Sequence, residues 1–387
     1  MDAVENPYSP GAGLRPPLLA GRQSEMDAFD AVLRRGEIGR VSRGLMLTGL
    51  RGVGKTVLLN ELAAKADSHG WITVQMEVRP DGGPTMLSSL AASLTAAIRR
   101  QQGRRLSDLA KRAVSSIDAF SITVDPAGTV SAAIDVDARG SGDLEIDFAT
   151  LAVDVGHAVL EAGVGAAVFV DELQGLDTRS MASLAAAAHA AGQRNVPFAV
   201  IGAGLPNLPG KLAEAKSYAE RLFDYRPLER LPDPTAEQAL SAPAIEMGTN
   251  WTKDALRAAI AAADGYPYFL QEFGAAIWNV APGPQITAAD AAAGILLGQA
   301  ILDGGFFRSR WDRATATERL YLRAMAADTG DESRTPDVAT RMGRTMSNLG
   351  PIRAGLIGKG LIYAPEYGLV AFTVPGMAGF IRRQVDR

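Results

Sequence analysis

The chain has no cysteine, which removes disulfides, thiolate nucleophiles and cysteine-ligated metals from its repertoire. Histidine is nearly as scarce. The three present, His69, His157 and His189, are scattered without a metal-ligand spacing and read as ordinary surface or core residues. No stretch of about 18 uninterrupted apolar residues occurs, so no membrane partner is expected. Residues 1–17 lack the basic-then-apolar layout of a secretory leader, and a cytoplasmic location is expected. A large charge excess is missing too: the formal net charge is −4, which gives no global pull towards nucleic acid. The charge is nevertheless uneven. From Arg313 onward eleven basic residues face seven acidic ones, so a basic C-terminal module follows an acidic body.

What is present is a globular composition, 47% hydrophobic and 21% charged over 387 residues, long enough for two or three domains. Residues 1–20 are rich in Pro and Gly and predict an extended arm over the surface. Helical spacing follows over 24–35, with Ser24 as its cap. The apolar runs 44–48, 71–78, 166–170 and 198–202 read as strands, and the segments between them carry helical periodicity near 56–65, 84–101, 148–162 and 178–192. Near-continuously apolar strands alternating with helices predict a parallel sheet covered on both faces. Residues 121–136 alternate like a hairpin turning at Pro126, Ala127 and Gly128, and the acidic stretch 135–147 reads as a solvated loop. From Pro234 to about Ala300 the pattern becomes helical only, and a compact unit begins near Ala314. The expected organisation is an N-terminal arm and helix over 1–40, an α/β core over 41–230, a helical lid over 231–312 and a C-terminal domain over 313–387.

Between the run 44–48 and an amphipathic helix, Gly49, Leu50, Arg51, Gly52, Val53, Gly54, Lys55 and Thr56 match G-x-x-x-x-G-K-[ST] without departure. The chemistry explains the residue types. Consecutive backbone N–H groups must wrap phosphate oxygens, which calls for glycine at 49, 52 and 54, for unusual torsions and close approach. The helix that follows adds partial positive charge at its N-terminus. Lys55 is expected to reach the β- and γ-phosphates, Thr56 to ligate Mg²⁺, and Val57 to complete the nucleotide-lining set. A pattern this loose also arises by chance; the strand before it and the helix after it favour a working loop.

A second constellation lies some 115 residues downstream, where 166–170 ends in Asp171 and Glu172. An acid at the C-terminal end of a buried strand is placed to hold a metal, directly or through water, because open α/β sheets bind ligands at that edge. Asp171 is therefore the expected Mg²⁺ ligand, and Glu172 the base that orients and deprotonates an attacking water. A strand that merely exits to solvent through acids is the bland alternative, and the upstream loop weighs against it. Gln174 is a candidate polar relay to the γ-phosphate.

These residues together resemble the AAA+/STAND group of P-loop ATPases, close to origin-recognition-type initiators and archaeal-type ATPases, over about residues 16–383. Residues 17–25 (PLLAGRQSE) look like the group's G-R-x-x-E element beside the adenine, 200–204 (VIGAG) like its sensor 1 strand, and 265–271 (GYPYFLQ) like its GxP or sensor 2 element. The resemblance implies a P-loop core with a parallel sheet, an all-helical lid and a winged-helix domain, with ATP and Mg²⁺ bound and ATP hydrolysed. It places Pro267 against the adenine. Two departures stand out. Tyr268 lies where initiator-type relatives carry a phosphate-sensing arginine, and Gly202, Ala203 and Gly204 offer no side-chain donor, with Asn207 a substitute. Both imply slow or regulated turnover. Arg194 and Arg221 are candidates for an arginine acting on a neighbouring subunit's nucleotide, against the commoner role of a surface arginine.

In the C-terminal module, helices are expected over 317–327 (capped by Thr317), 335–342 and 346–359, then β stretches at 361–363 and 370–374. That order is the winged-helix form of the helix-turn-helix. In one reading the third helix enters the major groove of duplex DNA, with Arg344, Ser347, Asn348 and Arg353 on bases or phosphates and Lys359 near the backbone. In the other, the module contacts protein, in self-assembly or with a separate partner, as in signalling relatives. An ATP-dependent switch is the function expected, with a small-molecule phosphotransferase the remote rival.

Overall fold

The computed structural model describes residues 1–78, 83–101, 122–124, 130–132 and 143–384. In chain order the first elements are α1 (Gln23–Glu37), β1 (Gly44–Thr48), α2 (Lys55–Ser68), β2 (Ile72–Glu77), α3 (Gly83–Gln101), β3 (Ile122–Val124), β4 (Val130–Ala132), α4 (Leu144–Glu161), β5 (Ala166–Asp171), α5 (Thr178–Arg194), β6 (Phe198–Gly204), α6 (Leu208–Ala215), α7 (Ala219–Leu222) and β7 (Phe223–Pro227). There follow α8 (Asp233–Glu246), β8 (Asn250–Trp251), α9 (Lys253–Ala263), α10 (Pro267–Val280), β9 (Gln285–Ile286), α11 (Ala288–Ile301), α12 (Arg308–Asp312), α13 (Ala316–Ala326), β10 (Glu332–Arg334), α14 (Thr335–Arg341), α15 (Met346–Gly358), β11 (Ile362–Tyr363), β12 (Leu369–Phe372) and α16 (Met377–Arg383). The chain partitions into two compact units. One comprises Gln23–Thr48 and Leu58–Pro227; the other joins Met1–Arg22, Gly49–Val57 and Leu228–Arg387.

The first unit is built on a five-stranded sheet in the order β2-β5-β6-β1-β7, parallel throughout. Every residue of β1, β5 and β6 is buried, which is why these strands read as unbroken apolar runs. Leu151, Val155 and Val159 of α4 and Met181, Leu184 and Ala185 of α5 pack into the same core as Val168 and Val200. β7 was not foreseen. Its sequence FDYRP mixes charges with aromatics and ends in proline, and it is tolerated because it lies at the sheet edge, paired from Gly44↔Phe223 to Thr48↔Pro227. β3 and β4 pair antiparallel as the hairpin pattern predicts, whereas its turn (Pro126 to Gly128) and most of the acidic stretch 135–147 lie outside the described residues.

In the second unit, α8 to α11 form the helical region, with a two-residue parallel pair, Asn250↔Gln285 and Trp251↔Ile286, in addition to the helices expected. A π-helical turn over 302–307 carries α11 into α12. The C-terminal module runs helix, strand, helix, helix, strand, strand, helix, with a sheet ordered β10-β12-β11. Its first helix is capped by Thr315, two residues before the expected Thr317, because Glu318 closes a reciprocal capping box only with Thr315. Ser24 likewise sits inside the first turn of α1, where its hydroxyl donates to the Glu25 carboxylate at 2.8 Å.

The N-terminal arm is anchored, contrary to a plain surface course. Tyr8 is 4% exposed; its hydroxyl donates to the Leu240 carbonyl and accepts from the Trp251 indole at 3.1 Å. Burial pushes the phenol pKa far up, so it stays a donor. Replacing Tyr8 by Phe takes away the acceptor of the buried Trp251 indole N–H, and a loss of about 1–3 kcal/mol is expected, read as a lower denaturant midpoint.

Candidate functional site

The loop after β1 adopts the torsions its glycines permit: φ is +91° at Gly52 and +90° at Gly54, values that side-chain-bearing residues rarely adopt. Gly49 serves close approach instead, since a Cβ there would lie 2.4 Å from the Leu228 carbonyl oxygen. Lys55 opens α2 and is 6% exposed. Its ammonium donates to the carbonyls of Gly49 (3.0 Å) and Leu50 (2.9 Å), which holds a positive charge within the loop. Val53 is buried, and Thr56 and Val57 are half-buried.

Three segments of the same unit hydrogen-bond to this loop. Arg22, 8% exposed, donates to the carbonyls of Val53 (2.9 Å) and Glu229 (3.1 Å). Tyr268, in the first turn of α10, donates its N–H to the Gly52 carbonyl at 3.1 Å. That N–H has no intrahelical acceptor, so the loop acts as a cap for the helix. Pro267 precedes it at the first helical position, where its missing N–H costs nothing. From the C-terminal module, the Thr373 carbonyl accepts from the Arg51 N–H at 2.9 Å. The Arg51 guanidinium also lies against Gly360, within 3.2 Å of where a Cβ would stand. Burial, and then the nearby Arg51 charge, lower the Arg313 pKa.

The acidic constellation sits in the sheet-bearing unit. Asp171 ends β5 between β2 and β6, is 8% exposed, and accepts from the Glu172 N–H at 2.8 Å. Glu172 adopts a left-handed conformation, φ 52° and ψ 36°, which redirects the chain into a short 3₁₀ turn at Leu173–Gly175. A non-glycine residue held there stores about 1–3 kcal/mol of backbone strain. Gln174 donates to the Glu172 carboxylate at 2.6 Å and accepts from the Leu205 N–H at 3.0 Å. The Lys211 ammonium donates to the Gln174 carbonyl at 2.8 Å, and burial lowers its pKa. Asn207 has a buried Oδ1 with no hydrogen-bond donor against it.

Residues 18–201 match the model of the AAA ATPase domain. Residues 304–381 match a domain of unknown function (DUF8462). Among solved structures the chain is similar to the Orc1 protein of Aeropyrum pernix in complex with DNA, at 15% identity and a TM-score of 0.48, covering 95% of this chain and 93% of that one. It is also similar to the RuvB Holliday junction branch migration motor of Thermotoga maritima, at 14% identity and 0.47, covering 97% and 100%. Cdc6p of Pyrobaculum aerophilum follows at 13% identity and 0.42, covering 99% and 97%. No curated protein matches the chain.

The matched segment 18–201 contains both constellations singled out from the sequence. Gly49, Leu50, Arg51, Gly52, Val53, Gly54, Lys55, Thr56 and Val57 belong to the unit that also holds Arg22 and Pro267. Asp171, Glu172 and Gln174 belong to the other. Two contacts to the loop had no signal in the sequence. Thr373 acts through its carbonyl, which every residue possesses, and Gly360 through lack of bulk. Arg194 and Arg221 are both exposed at the surface of their unit. Among the described residues no helix is long and apolar enough to cross a membrane.

Proposed function

We propose that the chain is an ATP-hydrolysing switch in which nucleotide on the 49–56 loop changes how the loop holds α10 and the C-terminal module. One observation carries this reading. Neighbouring residues of the loop bond to both parts: the Arg51 N–H to Thr373, the Gly52 carbonyl to Tyr268. Phosphates taken up by the loop's amides compete with or reorient those bonds, and a ligand shifts such a balance by its differential affinity for the two arrangements. Lys55 and the loop amides hold the phosphates, and Pro267 packs against the base. Asp171 and the Thr56 hydroxyl are each hard oxygen donors of the kind that would hold Mg²⁺. When bound there, Mg²⁺ would supply positive charge against the phosphates. Glu172 takes the proton of the attacking water. Amide hydrogen exchange over 266–270 and 361–373 is expected to change when ATP and Mg²⁺ are added; unchanged exchange at saturating nucleotide ends the switch reading.

A second observation bears on what the module touches. Read as a winged helix, it would present α15 to duplex DNA, yet its cations are largely engaged at home. Lys359 pairs with Glu318 at 2.6 Å, Arg353 donates to the Leu369 carbonyl, and Arg341 pairs with Asp328. Arg344 is exposed beside the neutral Ser347 and Asn348. This supports the protein-contact reading, through self-assembly or a separate partner, over DNA binding. A gel shift with duplex DNA over a salt series tests it, because phosphate contacts give affinity falling about tenfold per decade of salt for each one made. Absent or salt-insensitive binding is expected; steep salt dependence abolished by Arg344→Ala restores the DNA reading.

A further inference from the structure

Strand β6 ends in Gly202, Ala203 and Gly204, so the sheet edge beside the acidic strand presents no side-chain donor of its own. The amide of Gln174 occupies that role from another element. Its orientation is forced. The Leu205 N–H can be met only by an acceptor, so the amide oxygen must face β6 at 3.0 Å. The NH₂ group is then turned to the Glu172 carboxylate, to which it donates at 2.6 Å. The approach is close: a Cβ at 204 would lie 2.7 Å from the Gln174 amide oxygen and 2.9 Å from Leu208 Cδ2, so those side chains would have to shift. The Gln174 main chain is pinned as well, by the Lys211 ammonium on its carbonyl at 2.8 Å.

We infer that Gln174 is the positioning residue of the reaction: it ties the Glu172 carboxylate to the end of β6 and so fixes the direction in which the base faces. The inference rests on the reading of Glu172 as the base for ATP hydrolysis. A glutamine that only stiffened the turn would support folding and leave the balance between binding and turnover untouched. Fixing the base matters because a misplacement of about 1 Å costs on the order of 100-fold in rate.

The test compares Gln174→Leu, Gln174→His and Gly204→Ala with the wild-type chain, measuring kcat and KM for ATP with Mg²⁺ alongside thermal melting. Gln174→Leu keeps size and loses both polar atoms; kcat is expected to fall roughly 10- to 100-fold with KM changed less than about threefold. Histidine offers one donor and one acceptor and is expected to restore much of the rate. Gly204→Ala leaves Gln174 in place but displaces its amide, and is expected to lower kcat in the same way. Wild-type kcat in Gln174→Leu overturns the inference. So does a rate that falls only in step with melting and is not recovered by histidine. Glu172→Gln separates the two levels: if it hydrolyses ATP at the wild-type rate, the base reading fails, whereas an inactive Glu172→Gln beside a fully active Gln174→Leu removes only the positioning role.

Discussion

Lys55→Ala is expected to abolish tight ATP binding, with affinity falling at least about 100-fold, or ~2.7 kcal/mol. The reason lies in where the ammonium sits. It is buried and held by two loop carbonyls, Gly49 and Leu50, so its charge already lies inside the loop where the phosphates would bind. Alanine removes that charge and leaves the loop with carbonyl oxygens facing an anion. Equilibrium titration of ATP with Mg²⁺ by calorimetry reads the effect directly. Wild-type affinity in the variant would remove the loop from the site altogether. A melting curve on the same sample separates lost binding from lost fold.

Glu172→Gln should separate binding from chemistry. The amide matches the carboxylate in shape but accepts no proton, so kcat is expected to drop by about 100- to 10,000-fold while ATP affinity stays within a few-fold. Steady-state phosphate release gives the first quantity and fluorescent-nucleotide titration the second. The left-handed backbone at Glu172 makes the variant informative, because glutamine meets the same strain and the fold is left unchanged. Turnover at the wild-type rate would show that another group accepts the proton.

The parts of the site that could be seen in the sequence are local. The glycines of the loop, Lys55, and the acids closing a buried strand all owe their meaning to neighbours within a few residues. The same holds for the buried strands, whose apolar runs reflect coverage on both faces. Edge and docking elements were hidden. β7 has the composition of a loop and becomes a strand because β1 offers it a free edge. Tyr8 looks like part of a flexible arm until Leu240 and Trp251, more than 230 positions away, receive its hydroxyl. At the C-terminal module, the charges of Arg353 and Lys359 suggested DNA contact. Their engagement with the Leu369 carbonyl and with Glu318 depends on distances that no composition records.

By itself, the sequence determined that a strand, a glycine-rich turn and a helix would present amides and a lysine to phosphate, because backbone torsion and helix polarity are set within a few residues. It likewise determined that two acids would end a buried strand. Only the tertiary structure decided that Thr373 meets Arg51, that Tyr268 meets Gly52, and that Gln174 spans from Leu205 to Glu172. Three of those contacts, all but Gln174 to Glu172, join residues distant in the chain, and the same three use main-chain groups that all sequences share. Packing, and no residue identity, selects which of many equivalent amides and carbonyls meet.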